Sequence, residues 1–342
     1  MKKIILSVLA VVLLAALGVG FFFYIKLLKP NTGKFEEKAY LYIPTGGTFK
    51  NVIDSLEKNQ LLNNIESFKW SADFMKYNDS NIKAGRYRIN KGMNNRAIVN
   101  RLKSGTQEAV RLTFNNIRTK AQFAGYIGRK LEIDSVKFLE LLNDEQFVGK
   151  FGFNTETVFT VFIPNTYELF WNTNQQKFFS RMYDEHQKFW TADRKKKAEE
   201  LGMSPEKVST LASIVYWETK KPDEMPVVAG VYLNRLNKGM KLEADPTVIF
   251  AEGDFSIKRV RGKMMSNPSP YNTYVHTGLP PGPISMPSVT AIDAVLNHQK
   301  HDYLYFCAKD DFSGYHAFAE TLAQHLANAK RFQKALNERG IN

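Results

Sequence analysis

An uncharged apolar stretch near the N-terminus constrains this chain more than any other feature. Ile4 to Ile25 form 22 consecutive positions without a charge, about 33 Å as a helix, which matches the hydrocarbon core of a bilayer. Lys2 and Lys3 precede the stretch, and positive residues on the short side favour a cytoplasmic N-terminus. A cleaved signal peptide is the alternative, but the small residues from Ala16 to Gly20 lie inside the stretch rather than after it. We therefore predict a cytoplasmic tip and uncleaved anchor over 1–28, in the cell (inner) membrane, with the remaining chain on the outer (periplasmic) side.

The composition narrows the partners of the remaining chain. Lys and Arg number 47 against 34 Asp and Glu, which gives a formal net charge of +13. We expect no nucleic acid, because an exported, tethered protein rarely meets any and no binding motif occurs. Anionic lipid or an anionic wall polymer fits the charge better. We also expect no cofactor and no metal, because the chain has no phosphate-binding glycine loop and His298 and His301 have no HExxH pattern.

Roughly 310 residues follow the anchor, enough for two domains with their own cores. Residues 29–38, with Pro30, Asn31 and Gly33, are typical of a short linker. Residues 39–112 alternate predicted strands and short helices and form the first folded unit. Residues 113–342 form the second domain, with a helix-rich part over 113–200 and a part over 201–342 that carries the informative motifs.

A carboxylate lies on the apolar face of one predicted helix. The helix begins at Ser204-Pro205-Glu206, a capping Ser followed by Pro at the first helical position, and its apolar residues fall at Val208, Leu211, Ala212 and Val215. Glu218 lies about 20° from Leu211 around the axis. Lost hydration raises the pKa of such a carboxyl group, as a general acid near neutral pH requires. Pairing with Lys or Arg at a helix end is the structural alternative.

Several sequence blocks follow this helix in a fixed order. They are Glu218-Thr219, Val228 to Leu236, Gly239-Met240, Asp245 to Val248, Ser269 to Tyr274, Gly278 to Ile284, Tyr303 to Phe306 and Gly314 to Phe318. Together they resemble the MltG (YceG-like) family of endolytic murein transglycosylases, densely from about Leu211 to His325 and patchily elsewhere. The resemblance implies an α+β protein with one transmembrane helix, a small LysM-like domain at 39–112 and a mixed α+β catalytic domain that carries Glu218 on a helix.

The same resemblance implies a reaction and its partners. Glu218 would protonate the bridging oxygen between MurNAc and GlcNAc in peptidoglycan glycan strands. The same carboxylate would then act as base while the muramic C6 hydroxyl attacks the anomeric carbon, which leaves a 1,6-anhydro end. Cleavage of this kind would limit the length of nascent strands, with cell-wall synthases as possible partners.

Candidate substrate-binding residues follow Glu218 in the sequence. The segment Asn267 to Pro287 holds six prolines, so it can be ordered without being helix or strand. Aromatic rings and amides in such a loop suit a sugar, although a loop ordered only for packing is the alternative. Arg235 could contact the glycan or its peptide, or neutralise Glu218 or Asp245. The full set is Thr219, Asn234, Arg235, Asp245, Thr247, Tyr271, Asn272, Tyr274 and His316, of which His316 orients substrate or simply closes the core.

Two other functions stay open at this stage. A glycan hydrolase would use Glu218 and Asp245 as a carboxylate pair flanking the glycosidic bond. Asp245 precedes a proline, however, and the alternative is that it caps a turn, which is the common structural use. A non-catalytic scaffold that binds glycan and docks wall-synthesis enzymes is the other alternative. The buried acid speaks against the scaffold, because a binding protein gains nothing from a desolvated carboxyl group.

Overall fold

The computed structural model describes residues 1–340, and the predicted domain end at residue 342 lies outside them. It has an α+β fold, as predicted. The chain divides into two compact units. The first comprises Met1–Leu112, Gly128–Ile133 and Tyr167–Asn174, and the second comprises Thr113–Ile127, Asp134–Thr166 and the chain from Gln175 onward. The sequence did not indicate that 128–133 and 167–174 group with the first unit.

The first unit starts with the apolar helix. Helix α1, Lys2–Phe23, has no buried residue and continues into a π-helical turn over Tyr24–Leu28. Among residues 1–340 it is the one helix that is long and apolar enough to cross a membrane. At its end, the rings of Phe22 and Phe23 lie 5.0 and 5.8 Å from the Trp70 ring. The helix fits the predicted single-pass anchor.

The remainder of the first unit combines two strands with three short helices. Its elements are β1 (Lys38–Ile43), α2 (Phe49–Lys58), α3 (Ile65–Phe74), β2 (Gly85–Asn90) and α4 (Asn95–Ser104). Strands β1 and β2 pair antiparallel, with Lys38 opposite Asn90. Residues on β2 alternate between buried and half-buried, so one face of the two-stranded sheet covers the core formed with Phe68 and Ile98.

Part of the predicted linker is built into this unit. Asn31 and Thr32 are buried. The Asn31 amide donates to Asn95 Oδ1 at 2.7 Å and to the Asn64 carbonyl at 2.8 Å. The Lys26 carbonyl accepts from Asn95 Nδ2 at 2.8 Å. These polar side chains satisfy backbone groups that a free linker would leave to water, so the chain is fixed almost directly after the anchor.

The second unit begins with a helix-rich part. It contains α5 (Lys120–Gly128), α6 (Ser135–Leu142), α7 (Glu145–Gly149), a 3-10 turn (Val158–Val161), α8 (Gln175–Phe189) and α9 (Ala192–Glu200). Strands β3 (Val110–Phe114) and β4 (Asn165–Leu169) lie where the chain passes from one unit to the other, so each has residues in both. Phenylalanine rings fill this core, for example Phe123 and Phe162 with centroids 4.5 Å apart.

The motif-bearing part is a helical cluster with one hairpin. Its helices are α10 (Pro205–Glu218), α11 (Met225–Asn237), α12 (Asp245–Glu252), α13 (Val289–Leu296) and α14 (Leu322–Glu338). Strands β5 (Tyr305–Ala308) and β6 (His316–Ala319) pair antiparallel. Helix α10 packs against α11, α12 and α13. Its predicted start is confirmed, because the Ser204 side chain accepts from Lys207 N and Pro205 lies in the first turn.

One glycine allows a close approach in this cluster. A Cβ at Gly230 on α11 would lie 2.5 Å from the Gln299 carbonyl oxygen and 2.6 Å from His301 Nε2. Only glycine lets the 299–301 segment pass this close to the helix. The approach fixes α11, which carries Tyr232, against the chain that leads to β5.

Candidate active site

Glu218 is the last residue of α10 and is half-buried. The Tyr232 hydroxyl, from α11, donates to Glu218 Oε1 at 2.8 Å. Burial raises the pKa of Glu218 to about 7, and the charge of Asp245 acts in the same direction, whereas the Tyr232 hydrogen bond opposes them. Near neutral pH the group therefore populates both its protonated and its ionised form, as a group that first gives and then takes a proton requires.

Asp245 is the first residue of α12 and is exposed. Within residues 1–340 no backbone N–H bonds to its carboxylate, whose hydrogen-bond partner there is a side-chain hydroxyl, so Asp245 does not cap a turn. Instead Asp245 Oδ1 accepts from the Tyr274 hydroxyl at 2.7 Å. Burial and this hydrogen bond raise the pKa of Tyr274, so the hydroxyl stays a donor. Two predicted residues, Asp245 and Tyr274, thus lie together close enough to Glu218 to influence its ionisation.

Tyr271 and Thr219 lie at the margin of this cluster. Tyr271 is half-buried and its ring centroid lies 4.7 Å from that of Phe250, while burial raises its pKa to about 12. Thr219 is buried directly after Glu218, and its hydroxyl accepts from Lys221 N at 3.1 Å. Thr219 therefore ends the helix and turns the chain, whereas Tyr271 keeps part of its ring accessible.

Arg235 and Asn234 have structural partners. Arg235 is buried, and its guanidinium donates to the Leu304, Lys241 and Leu242 carbonyls and to Glu243 Oε2 at 2.9 Å. Its ion-pair partner is Glu243, so the expectation that it neutralises Glu218 or Asp245 is wrong. Asn234 Nδ2 donates to the His301 and Tyr303 carbonyls. Both side chains satisfy carbonyls of neighbouring loops that would otherwise be buried without donors.

Thr247 and Asn272 are likewise used inside the protein. Both side chains are fully buried. The Thr247 hydroxyl bonds the Ala244 carbonyl at 2.6 Å and pairs with Thr273 Oγ1 at 2.8 Å. Asn272 Nδ2 donates to the Met265 and Asn267 carbonyls. These contacts hold the proline-rich loop on α12 and leave no polar atom for a sugar, which corrects the predicted binding role of both residues.

His316 forms a pair that the sequence did not indicate. Its Nδ1 lies 2.9 Å from Glu224 Oε2, and its backbone N donates to Glu224 Oε1 at 2.7 Å. Glu224 is buried at the start of α11. The His316 ring contacts the Phe306 ring, which in turn contacts the Tyr232 ring. The pair therefore connects β6 to the helix that carries the hydrogen-bond donor of Glu218.

Tyr232 is the functional residue that sequence reasoning missed. It lies inside the matched block Val228 to Leu236, but its ring is buried, which usually indicates packing. A buried tyrosine hydroxyl needs a hydrogen-bond partner, and that requirement was the available signal. Only the packing of α11 against α10 shows that the partner is Glu218.

Comparison with known proteins identifies the family of this chain. The model of the YceG-like family matches residues 41–331. The chain belongs to the YceG-like family. It is 30% identical over 340 residues to the endolytic murein transglycosylase of Bacillus subtilis, with 94% of this chain and 92% of that protein covered. It is 27% identical to the endolytic murein transglycosylase of Streptococcus pneumoniae strain R6, over 98% of this chain and 66% of that protein.

A solved family structure has a similar fold. The crystal structure of a yceG-like protein from Listeria monocytogenes superposes with a TM-score of 0.58 at 28% identity, over 85% of this chain and 98% of that chain. The family membership and the mixed α+β fold class expected from the sequence blocks are thereby confirmed. The individual roles of the site residues stay predictions.

Proposed function

We propose that this YceG-like protein is an endolytic peptidoglycan lytic transglycosylase with Glu218 as its single acid and base. The observation that carries the proposal is the half-buried Glu218 carboxyl group, which has a pKa raised to about 7 and a hydroxyl donor on one oxygen. The endolytic murein transglycosylases to which the chain is similar support the same reaction class.

The first step is proton delivery to the bridging oxygen. Tyr232 donates to Glu218 Oε1, and no hydrogen bond from residues 1–340 reaches Oε2. Oε2 is therefore the oxygen that can carry the acidic proton towards the glycosidic bond. As the C–O bond breaks, positive charge develops on the sugar ring, and the carboxylate of Asp245 stabilises it electrostatically.

The second step closes the ring. Glu218 is now a carboxylate and accepts the proton of the muramic C6 hydroxyl while that oxygen bonds to the anomeric carbon. The C1–O bond to GlcNAc is replaced by a C1–O6 bond, so no water is consumed and Glu218 returns to its protonated form. The Tyr232 hydrogen bond stabilises the ionised form between the two steps.

A hydrolase is the second candidate, because Asp245 lies near enough to Glu218 to raise its pKa. In that reaction Asp245 would act as nucleophile or base for water. We favour the one-acid route, since the Tyr274 hydroxyl occupies one oxygen of Asp245 and gives it an electrostatic role. A scaffold without chemistry would have no use for the raised pKa of Glu218.

The N-terminal helix supports placement in the membrane. We propose a cytoplasmic N-terminus, an outer catalytic unit, and action on nascent strands beside cell-wall synthases. The strand–helix–helix–strand order of β1, α2, α3 and β2 supports a LysM-like first domain. A reporter fused to the C-terminus should be active only outside the cytoplasm, and activity inside would reverse the orientation.

Mass analysis of glycan products tests the reaction. The full-length protein in detergent, incubated with purified strands, should release 1,6-anhydro ends, which are lighter by one water than reducing ends. Internal cleavage should give a broad range of fragment lengths early in the reaction. Reducing ends without anhydro ends would favour the hydrolase, and no products from folded protein would favour the scaffold.

A further inference from the structure

Arg118 is a buried cation that has no counter-ion among residues 1–340. It lies in the loop before α5 and is only 9% exposed. Its guanidinium carbon lies 3.9 Å from the centre of the Trp217 ring and 4.5 Å from that of Phe255. Nε and Nη2 are buried, no acceptor among residues 1–340 bonds to them, and no charge from those residues raises the pKa of Arg118. Buried donors of this kind are rare unless an ion, water or ligand satisfies them.

A second cation lies on the same indole. Lys220 is exposed, and its Nζ lies 3.8 Å from the centre of the Trp217 ring. Lost hydration of the ammonium group, which lies against the ring, and the nearby Arg118 lower the pKa of Lys220 to about 8, so it stays charged at neutral pH. Trp217 Nε1 donates to Ser285 Oγ at 2.9 Å, which fixes the ring between α10 and the proline-rich loop. The ring of Trp217, the residue before Glu218, thus contacts two positively charged side chains, Arg118 and Lys220.

These cations are not counter-ions of the acid. An adjacent positive charge would lower the pKa of Glu218, but the effects on that pKa come from burial, Tyr232 and Asp245. Nor does a protein carboxylate offset Arg118, whose pKa is lowered to about 10 by burial alone. The positive charge therefore serves neither Glu218 nor another carboxylate among residues 1–340, which leaves it available for a substituent of the substrate.

We propose that Arg118 and Lys220, arranged around Trp217, bind a carboxylate of the glycan substrate. This inference rests on the proposed function. Muramic acid carries a lactyl ether whose carboxyl group is either free or joined to a peptide, and the peptide bears carboxylates of its own. The Arg118 guanidinium, whose Nε and Nη2 are unpaired, and the exposed Lys220 ammonium supply the charged donors that a carboxylate needs. The site would make the enzyme prefer muramic residues over uncharged sugars.

Four substrates separate the sources of the carboxylate. They are strands with intact peptides, strands stripped by an amidase so that the lactyl carboxylate is free, and each of these after carbodiimide coupling to methylamine. For the full-length protein in detergent, Arg118→Met should lower kcat/KM on the carboxylate-bearing strands about 10- to 100-fold, mostly through KM. The loss should be much smaller on amidated strands. The strand type that shows the loss identifies the carboxylate.

The thermal unfolding midpoint gives a readout that a structural role would not reproduce. Methionine keeps the volume of the side chain and removes a charge without an acceptor, so the midpoint of Arg118→Met should be unchanged or raised. Arg194 is the matched control, because it stacks on Phe189 but is paired with Asp293. Arg194→Met should lower the midpoint and show no dependence on substrate carboxylates.

Equal losses on amidated and unmodified strands, or no loss on either, would overturn the proposal. A lowered midpoint combined with equal losses would show that Arg118 is structural. If the wild-type protein cleaved no strands, the proposed function would fail instead. In that case, direct binding of the same four strands to wild type and to Arg118→Met still decides the inference. Loss of a carboxylate site should weaken binding of the unmodified strands only.

Discussion

Two substitutions around Glu218 should move the pH profile of glycan cleavage in opposite directions. The rate kcat/KM requires protonated Glu218 and should fall above a midpoint near the raised pKa of about 7. Tyr232→Phe removes a hydrogen bond that stabilises the carboxylate, so the alkaline midpoint should rise. Asp245→Asn removes a negative charge that disfavours the carboxylate, so the midpoint should fall.

The magnitudes follow from the contacts. A hydrogen bond to a charged group contributes about 1.5–3 kcal/mol, or about 1–2 pH units, and Glu218 is half-buried, so the lower end applies to Tyr232→Phe. Asp245 is exposed, and solvent screens its charge. Its removal should lower the midpoint by less than about one pH unit, and added salt should diminish the difference. Asparagine at 245 can still accept from the Tyr274 hydroxyl, which keeps that contact intact.

The assay is the initial rate of anhydro-end release between pH 5 and pH 9 at low substrate concentration. Wild type and the two variants are compared at two ionic strengths, with circular dichroism as the check on folding. Shifts of both variants in the same direction would refute the electrostatic reasoning. An alkaline limb that none of the substitutions moves would show that Glu218 is not the titrating acid. A collapse of activity in well-folded Asp245→Asn, rather than a partial loss, would favour the hydrolase.

Three further predictions concern activity and stability. Glu218→Gln should reduce cleavage by about two to four orders of magnitude. Because the pKa of Glu218 is raised in the folded protein, its ionisation opposes folding. The stability of the variant should therefore match that of wild type below pH 4.5 and exceed it above pH 7, by up to about 3 kcal/mol in urea unfolding. A soluble protein that begins at Lys29 should have a free energy of unfolding about 1–3 kcal/mol lower than one that begins at Tyr24. The shorter protein lacks the Lys26 carbonyl that accepts from Asn95 and Ser71. Equal stability of the two proteins would contradict this. Gly230→Ala should cost about 1–3 kcal/mol while Gly149→Ala, which meets no neighbour, should not, as thermal unfolding would show.

The sequence was most informative where the structure is local. The capping Ser and the spacing of apolar residues predicted α10 with its correct start, and the charge-free stretch predicted the anchor helix. Both features depend on residues within a few turns of one another. The linker was misread because Asn31 and Thr32 are polar, and their burial depends on partners more than 30 residues away.

Polar residues within the matched blocks could not be assigned from sequence. Asn234 and Arg235 are suited to sugar binding by residue type, yet their donors satisfy carbonyls about 70 residues further along the chain. Tyr232, two positions earlier, is suited to packing by residue type, yet it bonds the acid. Which of three neighbouring side chains faces the acid depends on the rotation of α11, and that rotation is set by the close approach at Gly230.

The two carboxyl groups of the site differ in environment, and the roles that we propose for them rest on that difference. Glu218 is half-buried and has a raised pKa, whereas Asp245 is exposed at a helix start and accepts from Tyr274. A pair of carboxyl groups in such different environments serves both a hydrolase and a transglycosylase up to bond cleavage. The two reactions diverge only in which hydroxyl attacks. A hydrolase must admit water to Asp245, while a transglycosylase needs only the C6 hydroxyl beside Glu218. The two experiments must therefore give the same answer. If wild type produces anhydro ends, Asp245→Asn should keep much of its cleavage rate.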